Sequence, residues 1–253
     1  MRSHQQVVTE QFGTTAASYL TSAVHAQGAE LQELAQIAAS IPEARVLDLG
    51  CGGGHAGFAV APVVRKVVAY DLSAQMLEVV ADAARERGLD NLAVRQGSAD
   101  RLDFPDASFD LVCTRFSTHH WRNVPQALRE ALRVLRPGGR FIAIDTAAPA
   151  DVLADTYVQA IELLRDTSHV RNISLNSWRK LLGQAGFSIA ADKTWKLRLE
   201  FASWVARMRT PADNVTAIKA LWNSAPQEVR DYFELDGDYS FSIDVAMLDA
   251  RKA

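Results

Sequence analysis

Four glycines fall within five positions at Gly50-Cys51-Gly52-Gly53-Gly54, directly after the apolar run Val46-Leu47-Asp48-Leu49. The run is too short for a helix core and is closed by glycine, so it predicts a buried strand. His55 to Val60 can then start a helix. Glycine accepts positive φ and lets a ligand approach the backbone closely, and the first amides of a helix are unpaired donors. Strand, bare loop and helix start together predict an α/β chain with a pocket for a nucleotide-like ligand.

Two registers of the loop point to different ligands. Gly52-x-Gly54-x-x-Gly57 matches the dinucleotide fingerprint, which alone is a weak signal and leaves an NAD(P)-dependent oxidoreductase open. Asp48-x-Gly50-x-Gly52-x-Gly54 puts a carboxylate in the strand just before the turn. A pyrophosphate would be repelled there, and a sulfonium cation with an amino group attracted. This register resembles motif I of the class I S-adenosylmethionine-dependent methyltransferases, which contacts the methionine moiety of the cofactor. The resemblance implies S-adenosylmethionine as cofactor, with Asp48, Gly50, Cys51, Gly52 and Gly54 at its methionine end.

At 253 residues, 48% of them hydrophobic and 23% charged, the chain suits one domain with an ample core. A net charge of −3 gives no general attraction to DNA or to an anionic membrane surface. Cys51 and Cys113 form no C-x-x-C pair and no zinc constellation, so no metal is implied. The polar N-terminus and the lack of a long apolar span suit a cytoplasmic protein. A homodimer is compatible with all of this.

Gln11 to Tyr19 resembles the segment that precedes the core in the ubiquinone/menaquinone-biosynthesis-like (type 11) group of these enzymes. In that group the segment folds over the cofactor and its tyrosine lines the site, which makes Tyr19 a candidate; without the resemblance it is a loose amphipathic lead-in. Residues 27–40 carry apolar spacings of three and four, a helix that Pro42 ends. Lys66 to Asp71 predicts a second strand ending in an acid, about twenty residues past the loop, where a Rossmann-like fold puts a carboxylate on ribose. Asp71 serves adenosylmethionine and NAD equally. Ser73 caps the next helix better than Asp71 does, and the resemblance packs Leu72 and Met76 near the adenosine. After a third strand, Leu92 to Gln96, the stretch Gly97 to Pro105 resembles the family's "G-D-A-E-x-L-P-F" loop. The first acid of that loop bonds the adenine amino group. Ser98 stands in its place, a departure from the family, so either Ser98, Ala99 and Asp100 read the adenine or this contact is weaker than usual.

Ser108 to Thr114 is a fourth strand, and Arg115 to Trp121 stands at its carboxyl end, where open α/β sheets bind ligands. Arg115 and Trp121 are therefore site candidates. The segment is not the Asn/Asp-Pro-Pro-Tyr type, so base methylation of DNA is not expected. His119 and His120 are candidate general bases, because imidazole titrates near neutrality; capping the next helix or packing Trp121 would explain them as well. Val124 to Leu135 predicts a helix, and the family-like turn L-R-P-G-G-R-F leads into a fifth strand, Phe141 to Ile144.

Helices are expected over Val152–Arg165 and Leu175–Gly183, then strands at Ala185–Ile189 and Thr194–Leu199. Three more helices and a closing antiparallel strand, Phe241–Lys252, complete the chain. The resemblance implies a Rossmann-like α/β fold: a seven-stranded, mostly parallel sheet with a reversed last strand. The core would span about residues 42–150, a helical cover 151–240 and the closing strand 240–252. His169, Arg171 and Arg207, with Arg115, could clamp a carboxylate or phosphate on a small-molecule methyl acceptor, unless they are merely solvated or paired with nearby acids. A cofactor-binding protein without catalysis fits the same motifs. An RNA methyltransferase would call for a basic face that the balanced charge does not advertise.

Overall fold

The computed structural model describes residues 2–13 and 28–253. Its sheet contains β1 (Arg45–Leu49), β2 (Lys66–Asp71), β3 (Leu92–Gln96), β4 (Phe109–Arg115), β5 (Leu135–Ala147), β6 (Phe187–Leu199) and β7 (Phe241–Lys252). The order across the sheet is β3-β2-β1-β4-β5-β7-β6. β7 runs antiparallel to both neighbours and the other pairings are parallel. The order reverses between β1 and β4, so a crevice opens outside their carboxyl ends. The predicted seven-stranded sheet with a reversed last strand is the sheet observed.

Strand alternation sends successive side chains to opposite faces, and helices cover both. Leu47, Leu49, Val112 and Phe141 pack with α5 (Val124–Val134) and α7 (Leu175–Ala185), including the buried Leu128, Trp178 and Leu182. Val46, Val67, Leu111 and Ile142 pack on the other side with α2 (Ala29–Ala39) and α3 (His55–Val60). α1 (His4–Gly13) precedes them, and α4 (Ala74–Glu86) lies between β2 and β3. A separate apolar cluster joins α6 (Val152–Arg165), α8 (Phe201–Arg207), α9 (Ala212–Ser224) and α10 (Gln227–Tyr232) around Trp204, Trp222 and Phe241. α8 to α10 are inserted between β6 and β7, where the sequence places its cover.

Two boundaries differ from the sequence reading. β5 starts at Leu135 rather than Phe141, because Leu135 pairs with Phe109 before a register shift carries the chain past Pro137-Gly138. Ala185 ends α7 and Gly186 caps it, and the rest of the two short stretches, from Phe187 to Leu199, is one edge strand, β6, paired with β7 along its length. A register irregularity between Ile189 and Ala191 resets its alternation, which hides the continuity from a period-two pattern.

Candidate active site

The glycine loop closes the carboxyl end of β1 with Gly50, Gly52 and Gly54 all at positive φ. At Gly50 the requirement is steric as well, since an added Cβ would lie 2.0 Å from Ser117 Oγ. Asp48 is 1% exposed beneath the loop. Its Oδ2 accepts from the Gly57 amide at 2.7 Å, and its Oδ1 is buried with no partner among the described residues. Burial pushes this carboxyl from 3.8 up to about 7, against the pull of the Gly57 amide. Asp71 ends β2 with Oδ2 accepting from Gly52 N and Oδ1 from Ser73 N, each at 2.9 Å. Burial raises its pKa too. Each oxygen keeps a second lone-pair site for a ligand hydroxyl. Ser73 Oγ caps α4 by accepting from Met76 N at 3.3 Å.

A cavity of about 440 Å³ lies over this floor. Of the residues singled out in the sequence, Asp48, Gly50, Cys51, Gly52, Asp71, Leu72, Met76, Ser98, Ala99, Asp100, Arg115, His120 and Trp121 line it. Ser98 Oγ donates to Asp100 Oδ1 at 2.6 Å, and Trp121 Nε1 donates to Ser117 Oγ at 3.1 Å. Arg115 also faces Glu30 of α2, with its Nη2 2.6 Å from Glu30 Oε1; both side chains are buried. Gly54 is not on the wall. It is the N-cap of α3 in the left-handed region, close against Phe58 and Val80. Tyr19 lies outside the described residues.

A second cavity, of about 80 Å³, adjoins the first and shares Phe12, Phe116 and His120 with it. His119, His169 and Arg207 line this one, whereas Arg171 lines neither and pairs with Asp155. His119 Nδ1 is 2.6 Å from Asp145 Oδ1. Asp145 Oδ2 accepts from Thr118 N at 2.7 Å and its Oδ1 from Thr146 N at 2.8 Å. Burial disfavours the His119 cation, but the Asp145 carboxylate outweighs it and raises the ring above 6.5. Burial would likewise raise Asp145, yet the His119 charge and these donors hold it at about 2. The His120 ring lies 4.1 Å and the His169 ring 5.8 Å from that of His119. Burial and the His119 charge lower His120 to about 3 and His169 to about 2. The three imidazoles therefore differ: the charged form is favoured at His119 and the neutral form at His120 and His169.

Sequence reasoning missed Asp145, Glu30 and the part of α1 that carries His4 and Val8 to the cavity, although it had marked the segment that includes Phe12. Asp145 had a usable signal: it closes the apolar run of β5 as Asp71 closes that of β2. Glu30 had none, because an acid in the first turn of an amphipathic helix is ordinarily solvated. Among the described residues no group of His, Cys, Asp and Glu side chains could hold a metal ion, and no helix is long and apolar enough to cross a membrane.

Residues 47–143 match a family model described as a methyltransferase domain. The YafE protein of Escherichia coli strain K12 is 50% identical over 204 residues, covering 81% of this chain and 99% of YafE. YcgJ of Bacillus subtilis strain 168, described as a methyltransferase, is 37% identical over 222 residues, 88% of each chain. Its crystal structure superposes with a TM-score of 0.84 over 89% of this chain and 99% of that one, at 35% identity. A demethylmenaquinone methyltransferase of Lactococcus lactis is 36% identical over 121 residues, 47% of each chain.

Proposed function

This chain belongs to the class I S-adenosylmethionine-dependent methyltransferases of the ubiquinone/menaquinone-biosynthesis-like group, and we propose that it methylates a small molecule seated in the second cavity, beside His120. S-adenosylmethionine is the cofactor. The observation that carries the proposal is the joining of the two cavities at Phe12, Phe116 and His120. The larger one fits the cofactor. The buried Asp48 Oδ1 has no partner among the described residues and would be satisfied by the cationic methionine end. Asp71 would take the ribose hydroxyls, while Ser98, Ala99 and Asp100 would take the adenine edge. Once bound, the cofactor supplies a methyl group on a sulfonium sulfur. The chain's own residues orient the two reactants and exclude water, which for an in-line displacement is much of the catalysis.

The second cavity has room for a small group only, which supports a small acceptor. A carboxylate or phosphate on it would meet Arg207 and Arg165, but the arginines expected to act together lie apart. Arg115 faces Glu30 at the cofactor cavity and Arg171 pairs with Asp155, so Arg207 alone of these three lines the second cavity. An obligatory anion on the acceptor is therefore not part of the reading. Two unpaired cysteines suit a cytoplasmic setting.

The test is to incubate the protein and methyl-labelled cofactor with an extract of cells that make it, then separate products by size. Label in the dialysable fraction is the expected result. Label confined to RNA or protein would overturn the small-molecule reading.

A further inference from the structure

The loop after β3 carries Ser98 where the family's pattern has an acid. The two residue types differ in what they offer a ligand. A carboxylate only accepts, whereas a hydroxyl donates or accepts and rotates to suit its partner. Alone, Ser98 would suit an amino group and a carbonyl equally. Its Oγ, however, donates to Asp100 Oδ1 at 2.6 Å. The carboxylate takes up the proton of the hydroxyl, and Ser98 Oγ is left with lone pairs only.

The loop is braced so that this pair stays formed. Gly97 N donates to the carbonyl of Asp71 at 2.9 Å, which ties the start of the loop to the end of β2. Arg101 N donates to the carbonyl of Ser98 at 3.1 Å and closes a tight turn with Asp100 inside it. Tyr70 Oη donates to the Arg101 carbonyl at 3.3 Å and lies against Gly97, where an added Cβ would come within 1.8 Å of it. Tyr70, Gly97, Ser98 and Asp100 all line the larger cavity, and Leu72 and Met76 give it an apolar wall against which a flat base can pack.

Resting on the adenine edge proposed above, we infer that Asp100 is a positioning residue that makes Ser98 Oγ an acceptor only, and so selects a purine with a 6-amino group over one with a 6-oxo group. The amino group of adenine donates, and it finds a lone pair. The carbonyl of hypoxanthine would face the lone pairs of Ser98 with the Asp100 carboxylate beside them, and an acceptor left against acceptors is costly. Where the family's loop excludes the oxo group with one acid, this chain divides the task between a hydroxyl that meets the base and a carboxylate that holds its proton.

Adenosylhomocysteine and S-inosylhomocysteine differ at this group and are titrated calorimetrically into the wild type and its variants. Hypoxanthine also carries a hydrogen on N1, a difference common to every variant, so the readout is the change in preference. Asp100→Ala frees the Ser98 hydroxyl to donate. S-inosylhomocysteine should then bind about tenfold tighter than it does to the wild type, while adenosylhomocysteine stays within about threefold. A merely structural role of Asp100 would weaken both ligands together. Ser98→Ala should narrow the preference by about fivefold or more. Ser98→Asp combined with Asp100→Ala puts a single acid in the loop and should restore the wild-type preference to within about threefold. Melting curves confirm that each variant is folded.

S-inosylhomocysteine binding no tighter to Asp100→Ala than to the wild type would overturn the inference, as would a Ser98→Ala variant that keeps the full preference because Asp100 reads the base itself. Failure of the acid at position 98 to restore the preference would do the same. The wider assignment fails separately. If neither Asp100→Ala nor Ser98→Ala changes the affinity for either ligand, the adenine edge lies elsewhere and both readings fall. If Ser98→Ala weakens adenosylhomocysteine while Asp100→Ala leaves the preference intact, only this inference falls.

Discussion

Asp48→Asn should make the protein more stable and worse at binding its cofactor. Asp48 ionises at about 7 in the fold against 3.8 in an ordinary environment, because burial opposes its charge. Between those values the folded chain holds a proton that the unfolded chain has released, so stability falls as pH rises from about 4 to about 7 and then levels off. At about 1.4 kcal/mol per pH unit, the gap amounts to about 4 kcal/mol lost at pH ~8. Asparagine is isosteric and never ionises. Its oxygen can still accept from Gly57 N, but its amide nitrogen would take the place of Oδ1, which has no partner among the described residues. That unpaired donor costs about 1–3 kcal/mol, leaving a net gain of about 2 kcal/mol. For a domain of this size the melting temperature should rise by about 4–8 °C at pH ~8.

The gain should shrink by about 2 kcal/mol on going to pH ~5.5, where the wild-type carboxyl is protonated in the fold. Calorimetric titration supplies the other half. Wild-type affinity for adenosylmethionine should weaken about tenfold per pH unit below 7, as the charge must be restored to meet the cationic methionine end. The variant should bind weakly with little pH dependence. Melts in which Asp48→Asn is no more stable than the wild type at pH ~8, or a gain that does not change with pH, would refute the reasoning.

Asp71→Ala removes acceptors for the amides of Gly52 and Ser73 along with any ribose contact. Adenosylmethionine should bind about 1–3 kcal/mol more weakly by titration, and unchanged affinity would take Asp71 out of the site. Asp145→Asn leaves His119 without its counter-charge and should cost about 3–5 kcal/mol, the penalty of breaking a buried pair, read by urea unfolding. That cost has a pH window. The depressed Asp145 contributes stability above 3.8 and loses it as pH falls towards about 2. The raised His119 contributes below 6.5 and loses it as pH rises through its folded value. The loss should thus be largest between about pH 4 and 6.5. Gly50→Ala forces a Cβ onto a residue at φ 69°, 2.0 Å from Ser117 Oγ. A fall in stability of about 2 kcal/mol or more is expected, with loss of cofactor binding in the same preparation.

The cofactor half of the molecule was readable because its demands are local. Positive φ at Gly50 and Gly52 needs glycine, and a carboxylate at the end of β2 must fall a fixed distance along the chain, so both leave marks at short sequence spacing. The same holds for the Ser73 cap and for the apolar runs of β1, β2 and β4, buried on both faces. The second cavity was not readable in this way. His119 and His120 could be seen, but the groups that hold them, Asp145 for His119 and Ser168 for His120, lie 26 and 48 positions away and arrive through the sheet order and the α6–α7 connection. Arg171 and Arg207, grouped in the sequence as one clamp, are separated in space because one caps the outside of α6 with Asp155 while the other faces inward from α8.

This difference bears on how the family could change acceptor without losing its cofactor. The floor of the larger cavity is built from backbone amides and two carboxylates fixed by strands β1 and β2, and substitution there meets steric limits such as the one at Gly50. The second cavity is walled by side chains from α1, the β5 end, α6, β6, α8 and Ile243 of β7. Its polarity depends on which nitrogen of each histidine carries the proton, and a neighbour decides that in every case: Asp145 for His119, Ser168 for His120, Gln159 for His169. Replacing Gln159 by a residue that donates instead of accepting would turn the His169 Nδ1 lone pair into a proton. The buried nitrogen behind the cavity would then be a donor where it is an acceptor now, without touching the histidine or the cofactor site. The protonation pattern of the three imidazoles is therefore set by residues behind the cavity wall, where a search for catalytic side chains does not look.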